Sequence, residues 1–434
     1  MMKSSRIVIW GAGYIGITTA VAYAEKGQKS IIYDIDEAKI SSIENGKLTI
    51  PNLDYWCGYD FRFWFKNGMI KISCFEGNLH SNINFIAVPT EHEMAPSNIA
   101  LMDVLQKIIA GTKKTNAKPV IIIESTLMPG TIDWDILPLL NNNLGEMQYI
   151  LCIAPRRDWF VSADKTLKSI PRVFGCINGH DKDTISNLLS IICNKLIFAA
   201  DYHSAEAVKC VENVFRYVDI SIANQLALAF PELDINEVLK LAGTKWNVDT
   251  YASSFGIGGY CVPLSAQYLM NSSLRKRSIS IVQCATDFNL KYIENVLKTV
   301  HIEQYSSIGI LGLAYKGDIR VYEGSPTLTL VNILDSKYNA EIYINDPYYS
   351  NDEIKRITKH SSFYFPNDLR KFECLLLVTA HRYYTSICKE VLIDSIRAGT
   401  TVIDGTGAWQ EYIEDDQHIN YKRIGMAEWY NYKE

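Results

Sequence analysis

Arg6-Ile7-Val8-Ile9-Trp10-Gly11-Ala12-Gly13-Tyr14-Ile15-Gly16 runs an apolar segment straight into a glycine-rich turn. The apolar segment reads as a strand buried on both faces, the kind found in a parallel sheet. A helix-like stretch from Ile17 to Lys26 follows and stops at Gly27. A second strand, Ser30-Ile31-Ile32-Tyr33, ends at Asp34. Strand, glycine turn, helix, strand and terminal acid form one βαβ unit with the full context of a dinucleotide fingerprint. Gly11 permits the tight turn, Gly13 lets the backbone approach a pyrophosphate, and Gly16 lets helix and strand pack closely. Around Tyr14 and Ile15 the helix start offers free N–H groups and the positive end of its dipole to phosphate. Asp34 would accept hydrogen bonds from the adenosine ribose and repel a 2′-phosphate, so the expected cofactor is NAD and not NADP.

Outward from this unit, further buried strands recur. Ile83 to Val88 ends in Pro89-Thr90, Val120 to Ile123 ends in Glu124-Ser125-Thr126, and Tyr149 to Ile153 ends in Ala154-Pro155. Ligands of a doubly wound sheet bind at the carboxyl ends of its strands, so Pro89, Thr90, Ser125 and Thr126 become candidate cofactor contacts. Residues 201–300 change character, with a long apolar-periodic run from Ala205 to Phe230 and few strand signals. At Ser307-Ile308-Gly309-Ile310-Leu311-Gly312 the first pattern starts again, with a helix from Pro326 to Ser336, a strand from Glu341 to Asn345 ending at Asp346, and strands at Cys374–Thr379 and Thr401–Asp404. The expected fold is α/β, with two Rossmann-like doubly wound parallel-sheet domains (1–200 and 301–434) joined by a central helical domain (201–300) with a long helix.

Bulk properties agree. A chain of 434 residues is too long for one ordinary core and suits two or three domains. A net charge of −5 leaves no footprint for nucleic acid or an anionic membrane surface. No signal peptide is read at Met1-Met2-Lys3-Ser4-Ser5, and no apolar run approaches the roughly 20 residues needed to cross a bilayer. The ten cysteines show neither CxxC pairs nor zinc-ligand spacing, so the expectation is a cytoplasmic protein with free thiols and no metal.

Several sparse motifs, in order, carry a resemblance. They are Gly11 to Gly16, Tyr33-Asp34-Ile35-Asp36, Phe85 to Thr90, Glu124-Ser125-Thr126 with Pro129-Gly130-Thr131, and Ala205-Glu206-Ala207-Val208-Lys209 with Glu212-Asn213. Gly258-Gly259-Tyr260-Cys261-Val262-Pro263, Gly312-Leu313-Ala314-Tyr315-Lys316 and Ser325-Pro326 complete the series. Over nearly its whole length the chain resembles the UDP-glucose/GDP-mannose dehydrogenases. The resemblance implies oxidation of the C6 hydroxymethyl of a nucleotide-linked sugar to a carboxylate with two NAD molecules. It also implies an N-terminal NAD domain, a C-terminal domain for the UDP-sugar, and a homodimer built on the central helices. A role in an acidic surface polysaccharide, such as a capsule or O-antigen, follows from the family.

The chemistry is legible in residue types. A thiolate at Cys261, after two glycines that admit close approach, would attack the C6 aldehyde, and the thiohemiacetal formed would lose a hydride to give a thioester that water then cleaves. The other nine cysteines read as packing. Lys209 and Asn213 lie at i and i+4 on one helix face and suit a developing oxyanion, with Glu206 one turn before. By resemblance, Thr126 positions a water or the reacting hydroxyl, Gly258, Gly259 and Tyr315 join the substrate site, and Lys316 pairs with the diphosphate as a point charge.

Three positions depart from the family. Ser265 stands where an aspartate is usual, Arg156-Arg157-Asp158 follows Pro155 where a glutamate is usual, and Glu323 stands where an arginine is usual. The first two remove carboxylates that help proton transfer and hydrolysis, help worth roughly 10²–10⁴ in rate. Asp158 is the candidate substitute, and Arg156 with Arg157 could bind an anionic group. Two further readings follow: a two-electron dehydrogenase that stops at the aldehyde, and a non-catalytic nucleotide-sugar binder. The thiol set between two glycines and a proline speaks against the binder.

Overall fold

The computed structural model describes residues 6–48, 50, 61–74, 82–115, 117–159, 165–274 and 276–430. The chain divides into two compact units, Met1–Glu212 with Gln267–Leu274, and Asn213–Ala266 with Arg275–Glu434.

The first unit opens with strand β1 (Ile7–Trp10), helix α1 (Tyr14–Ala24) and strand β2 (Ser30–Tyr33). Strands β3 (Ile70–Ser73), β4 (Ile83–Ile86), a two-residue ribbon β5 (Glu91–His92) and β6 (Ala95–Pro96), β7 (Val120–Ile123), β8 (Ile150–Ile153), β9 (Arg172–Cys176) and β10 (Leu196–Phe198) follow. Eight of them form one sheet in the order β10-β9-β8-β7-β4-β1-β2-β3. Its pairings are parallel except where β9 runs antiparallel to β8, with Cys152 opposite Cys176. Successive residues of a strand face opposite sides. Accordingly Ile7 and Ile9 enter one buried cluster with α1, while Val8 and Trp10 enter another with Leu101 and Leu105. Both faces are covered, which is why β1 carries no polar alternation.

Helix α2 (Tyr202–Ala229) has 28 residues, about 42 Å at 1.5 Å per residue. It begins in the first unit and ends in the second. Helices α3 (Cys261–Ser272) and α4 (Ser280–Thr299) follow. The second sheet comprises β11 (Ser307–Leu311), β12 (Glu341–Asn345), β13 (Ser361–Ser362), β14 (Cys374–Leu377), β15 (Thr401–Asp404) and β16 (Asn420–Arg423). Their order is β13-β12-β11-β14-β15-β16, all parallel. Helix α5 (Pro326–Lys337) starts on Ser325, whose hydroxyl accepts from Thr327 N–H, with Pro326 in the first turn.

The fold is the expected α/β class, with Rossmann-like sheets at both ends and helices between. Element ends differ. Helix α1 starts at Tyr14 rather than Ile17, β4 stops at Ile86 rather than Val88, and β14 stops at Leu377 rather than Thr379. Strands β3, β9, β10, β13 and β16 have no counterpart in the sequence reading. Strands β3, β13 and β16 lie at sheet edges and lack an apolar run, β10 is apolar but only three residues long, and β9 begins on Arg172, a charged residue that is buried here. The reading of nine cysteines as packing needs correction. Cys152, Cys176, Cys193, Cys210 and Cys374 are buried, but Cys74, Cys284 and Cys388 are exposed. Cys57 lies outside the described residues. Among the described residues no helix is long and apolar enough to cross a membrane.

The turn after β1 admits no side chain at its third glycine. A Cβ on Gly16 would meet the Gly11 carbonyl oxygen at 1.9 Å and the Ile9 side chain at 3.2 Å. Gly16→Ala should therefore destabilise the protein by about 1–3 kcal/mol. Urea denaturation followed by far-UV circular dichroism would measure it, and an unchanged midpoint would contradict the packing described.

Candidate functional site

The glycine turn is built as a phosphate cradle. Gly11 has φ +107°, donates its N–H to the Tyr33 carbonyl at 2.7 Å, and has no room for a Cβ beside the Ala87 carbonyl. A Cβ on Gly13, by contrast, would meet nothing within 4 Å. The turn is therefore closed where helix and strand meet and open at the middle glycine, as a pyrophosphate requires. Tyr14 and Ile15 open α1, at the positive end of its dipole. Asp34 ties the turn together: its Oδ2 accepts from Ala12 N–H at 2.7 Å and pairs with Lys39 Nζ at 3.1 Å, while Oδ1 accepts from Asp36 N–H at 3.0 Å. The residues present fit NAD.

At the sheet edge, the candidate contacts act partly on each other. Thr90 Oγ1 donates to the Thr126 carbonyl at 2.6 Å, and Ser125 Oγ donates to the Val88 carbonyl at 2.6 Å. Tyr268 donates its phenol to the Thr90 carbonyl and lies 3.0 Å from Thr90 Oγ1. The Thr90 and Ser125 hydroxyls are thus committed to stitching the loops, and any contact with a cofactor falls to their backbone. Pro89 is exposed beside them and Thr126 is partly exposed.

The Arg156-Arg157-Asp158 loop overturns two sequence readings. Asp158 does not face a reaction: its two oxygens take the Nε and Nη2 of Arg156, each at 2.6 Å. Burial raises its pKa, but the Arg156 charge and hydrogen bonds outweigh this and hold the carboxyl below its ordinary value. The pair of arginines does not present a cation for an anion either. Arg156 is buried against α1, and Arg157 binds Glu212 at 2.6 Å and the Pro171 carbonyl at 2.7 Å.

Helix α2 carries Glu206, Lys209 and Asn213. Glu206 is buried and accepts from the N–H groups of Gly130 (2.7 Å) and Ile132 (3.0 Å), so it fastens the helix to that turn and is no companion to Lys209. Burial raises its pKa, and the two N–H groups oppose that rise. Lys209 is half-buried one turn on. Asn213 directs its amide N–H groups to the Cys261 carbonyl at 3.1 Å and to Ser265 Oγ at 2.9 Å. An amide so occupied is not free to receive an oxyanion. The structure instead gives Asn213 the task of holding the turn that bears Cys261.

Cys261 is exposed and is the first residue of α3, not part of a loop. Ser265 Oγ donates to the Cys261 carbonyl at 2.6 Å, which occupies the hydroxyl that replaces the usual carboxylate. The two glycines before it serve packing. A Cβ on Gly258 would meet Pro326 at 2.7 Å, and one on Gly259 would meet the Tyr315 ring at 2.7 Å. Tyr315 is pushed up to about 12, chiefly by burial and then by the charge of Cys261. Lys316 is pushed down to about 7, chiefly by burial and then by Arg216. Arg216 lies over the Tyr251 ring, 5.5 Å from its centroid. Arg216, a residue in no motif, shares one helix face with Lys209 and Asn213 by its i, i+4, i+7 spacing. The mutual influence of Lys316 and Arg216 marks a place where an approaching anion would be attracted. Glu323, the third departure, adds negative charge near Tyr349.

Comparison with known proteins gives a consistent pattern. Models of the UDP-glucose/GDP-mannose dehydrogenase family match over residues 5–192 (NAD binding domain), 203–291 (central domain) and 309–411 (UDP binding domain). The chain is 27% identical over 435 residues to the UDP-N-acetyl-D-mannosamine dehydrogenase of Methanococcus aeolicus, covering 97% of this chain and 95% of the relative. It is 25% identical over 420 residues to Protein CapL of Staphylococcus aureus, covering 89% and 92%. Among solved structures, the UDP-D-ManNAc dehydrogenase of Pyrococcus horikoshii superposes with a TM-score of 0.81 at 24% identity, covering 97% of this chain and 99% of that one.

The low pKa of Lys316 predicts proton uptake on ligand binding. With a folded pKa near 7, the free protein holds this lysine mostly neutral at pH 8, and an adjacent diphosphate would restore its charge. Calorimetric binding of UDP-N-acetylglucosamine at pH 8, in buffers of different ionisation enthalpy, should show uptake approaching one proton. The uptake should vanish in Lys316→Met; uptake unchanged in that variant would remove Lys316 from the anion site.

Proposed function

Because the chain belongs to the UDP-glucose/GDP-mannose dehydrogenase family and is an NAD-dependent nucleotide-sugar dehydrogenase, we propose that it oxidises the C6 hydroxymethyl of UDP-N-acetyl-D-mannosamine or a close UDP-N-acetylhexosamine to the uronic acid. The names of the relatives support the sugar, and that of CapL is in keeping with a surface polysaccharide as its destination. The domain division at 200 and 300, a homodimer through the central helices and a cytoplasmic location belong to the same proposal.

The observation that carries the covalent route is the placement of Cys261: an exposed thiol at the first residue of a helix, with its carbonyl held by both Asn213 and Ser265. When bound, NAD accepts the hydride of each oxidation. The Cys261 thiolate adds to the C6 aldehyde, Lys209 stabilises the oxyanion that forms, and Thr126 orients the reacting oxygen or the water that later cleaves the thioester. Lys316 and Arg216 hold the diphosphate, with Tyr315 and the Gly258-Gly259 backbone beside it. Asp34, Tyr14, Ile15 and the turn glycines hold the dinucleotide, with the Pro89-Thr90 and Ser125-Thr126 backbones at the sheet edge.

A second reading is favoured by a specific observation. Asp158 is locked to Arg156, and Ser265 is tied to the Cys261 carbonyl, so neither supplies a base for thioester hydrolysis in this arrangement. On this reading the enzyme stops after two electrons, or accumulates the thioester.

One assay separates the readings. With excess NAD and limiting UDP-N-acetyl-D-mannosamine, about two NADH per sugar, abolished in Cys261→Ala, is the expected result of the complete covalent route. About one NADH per sugar would select the two-electron reaction, and a burst near two NADH per active site with no further turnover would select the stalled thioester. Full turnover in Cys261→Ala would eliminate the thioester.

A further inference from the structure

The loop after β8 does something other than catalysis, and its contacts say what. Arg156 is 5% exposed, and its guanidinium donates to three residues of α1: Nη1 to the Ile15 carbonyl at 3.2 Å and to Thr19 Oγ1 at 2.7 Å, and Nη2 to Thr18 Oγ1 at 2.9 Å. Thr18 Oγ1 passes the bond on to the Tyr14 carbonyl at 2.7 Å. Thr19 Oγ1 donates in turn to Glu124 Oε2 at 2.8 Å, at the carboxyl end of β7. Asp158 grips the other side of the same guanidinium. Arg172 completes the set, binding Glu124 Oε1 and the Ala154 carbonyl, each at 2.6 Å. Two arginines and two carboxylates balance in charge, as buried ions must.

These contacts converge on one element. Helix α1 supplies the N–H groups that face the pyrophosphate, and Gly16 gives it no slack against Gly11. A planar, five-donor guanidinium fixes direction as well as distance, which an ammonium cannot do. We propose that Arg156, braced by Asp158, is a positioning residue for NAD: it sets the placement of the first turns of α1 against the ends of β7 and β8, and thereby the pyrophosphate site. The residue touches no ligand itself. It acts through Tyr14, Ile15, Thr18 and Thr19.

The proposal rests on the Gly11–Gly16 turn being the NAD site. Two variants test it. Arg156→Lys keeps the charge and loses the fork. Arg156→Leu with Asp158→Leu removes both charges together, so that no ion is left buried alone. Calorimetry would give the dissociation constants for NAD and, separately, for UDP-N-acetylglucosamine, with thermal melting to confirm folding. The expected result is a loss of about tenfold in NAD affinity in both variants, with UDP-sugar affinity within about twofold of the parent. A general loosening of the protein would not divide the two ligands in this way. Unchanged NAD affinity in a folded variant, or equal weakening of both ligands, would overturn the proposal. Should the double variant fail to fold, Arg156→Lys decides alone. A parent protein that binds no NAD would overturn the reading of the turn itself, which is a separate failure.

Discussion

A single device closes the nucleotide turn in each half of the molecule: a carboxylate at the end of the second strand takes backbone N–H groups from the turn after the first. Asp34 does this for Ala12. Asp346 does it for Leu313 and Ala314, at 2.8 and 2.9 Å, and is itself held by His381 Nε2 at 3.0 Å. His381 accepts the Asp318 N–H at its Nδ1, so the ring is in the tautomer that donates from Nε2. The two turns share the device and differ in what remains. In the first half one N–H is taken and Gly13 faces open space. In the second, two are taken and the following loop instead brings Tyr315 toward the Cys261 segment.

Much of this was legible in the sequence because its signals are local. Buried central strands must be apolar throughout, so β1, β7, β11, β14 and β15 announce themselves. The glycine spacing and Asp34 state a backbone geometry that only one context satisfies. Edge strands carry no such signal: β16 reads Asn-Tyr-Lys-Arg and is recognised only once β15 lies beside it.

The misread side chains share a different cause. Glu206, Asp158 and Asn213 all have the right chemistry for catalysis, and what decides their roles is the partner that already holds each of them. Glu206 meets Gly130, Asp158 is claimed by a guanidinium that itself reaches back to Thr18, and Asn213 meets Ser265 and Cys261. Residue type shows what a group is able to do, while its partners show what it is still free to do. Arg216 is the converse case, a residue without a motif that comes to notice only through its neighbours Tyr251 and Lys316.

The partition of the chain carries a consequence for how it can be taken apart. Each compact unit is discontinuous, and the segment Gln267–Leu274 belongs to the first unit although Asn213–Ala266, in the second, precedes it. Tyr268, on that segment, is the side chain that secures the Thr90 carbonyl. A nucleotide-binding half produced by cutting at the end of its sheet would lack this phenol and all of α2, including the Tyr202–Glu212 part that belongs to it. The family motifs fall into three consecutive blocks, yet the physical modules are interleaved. Evolutionary shuffling, gene splitting or a proteolytic nick between blocks would each separate groups that hold one another in place.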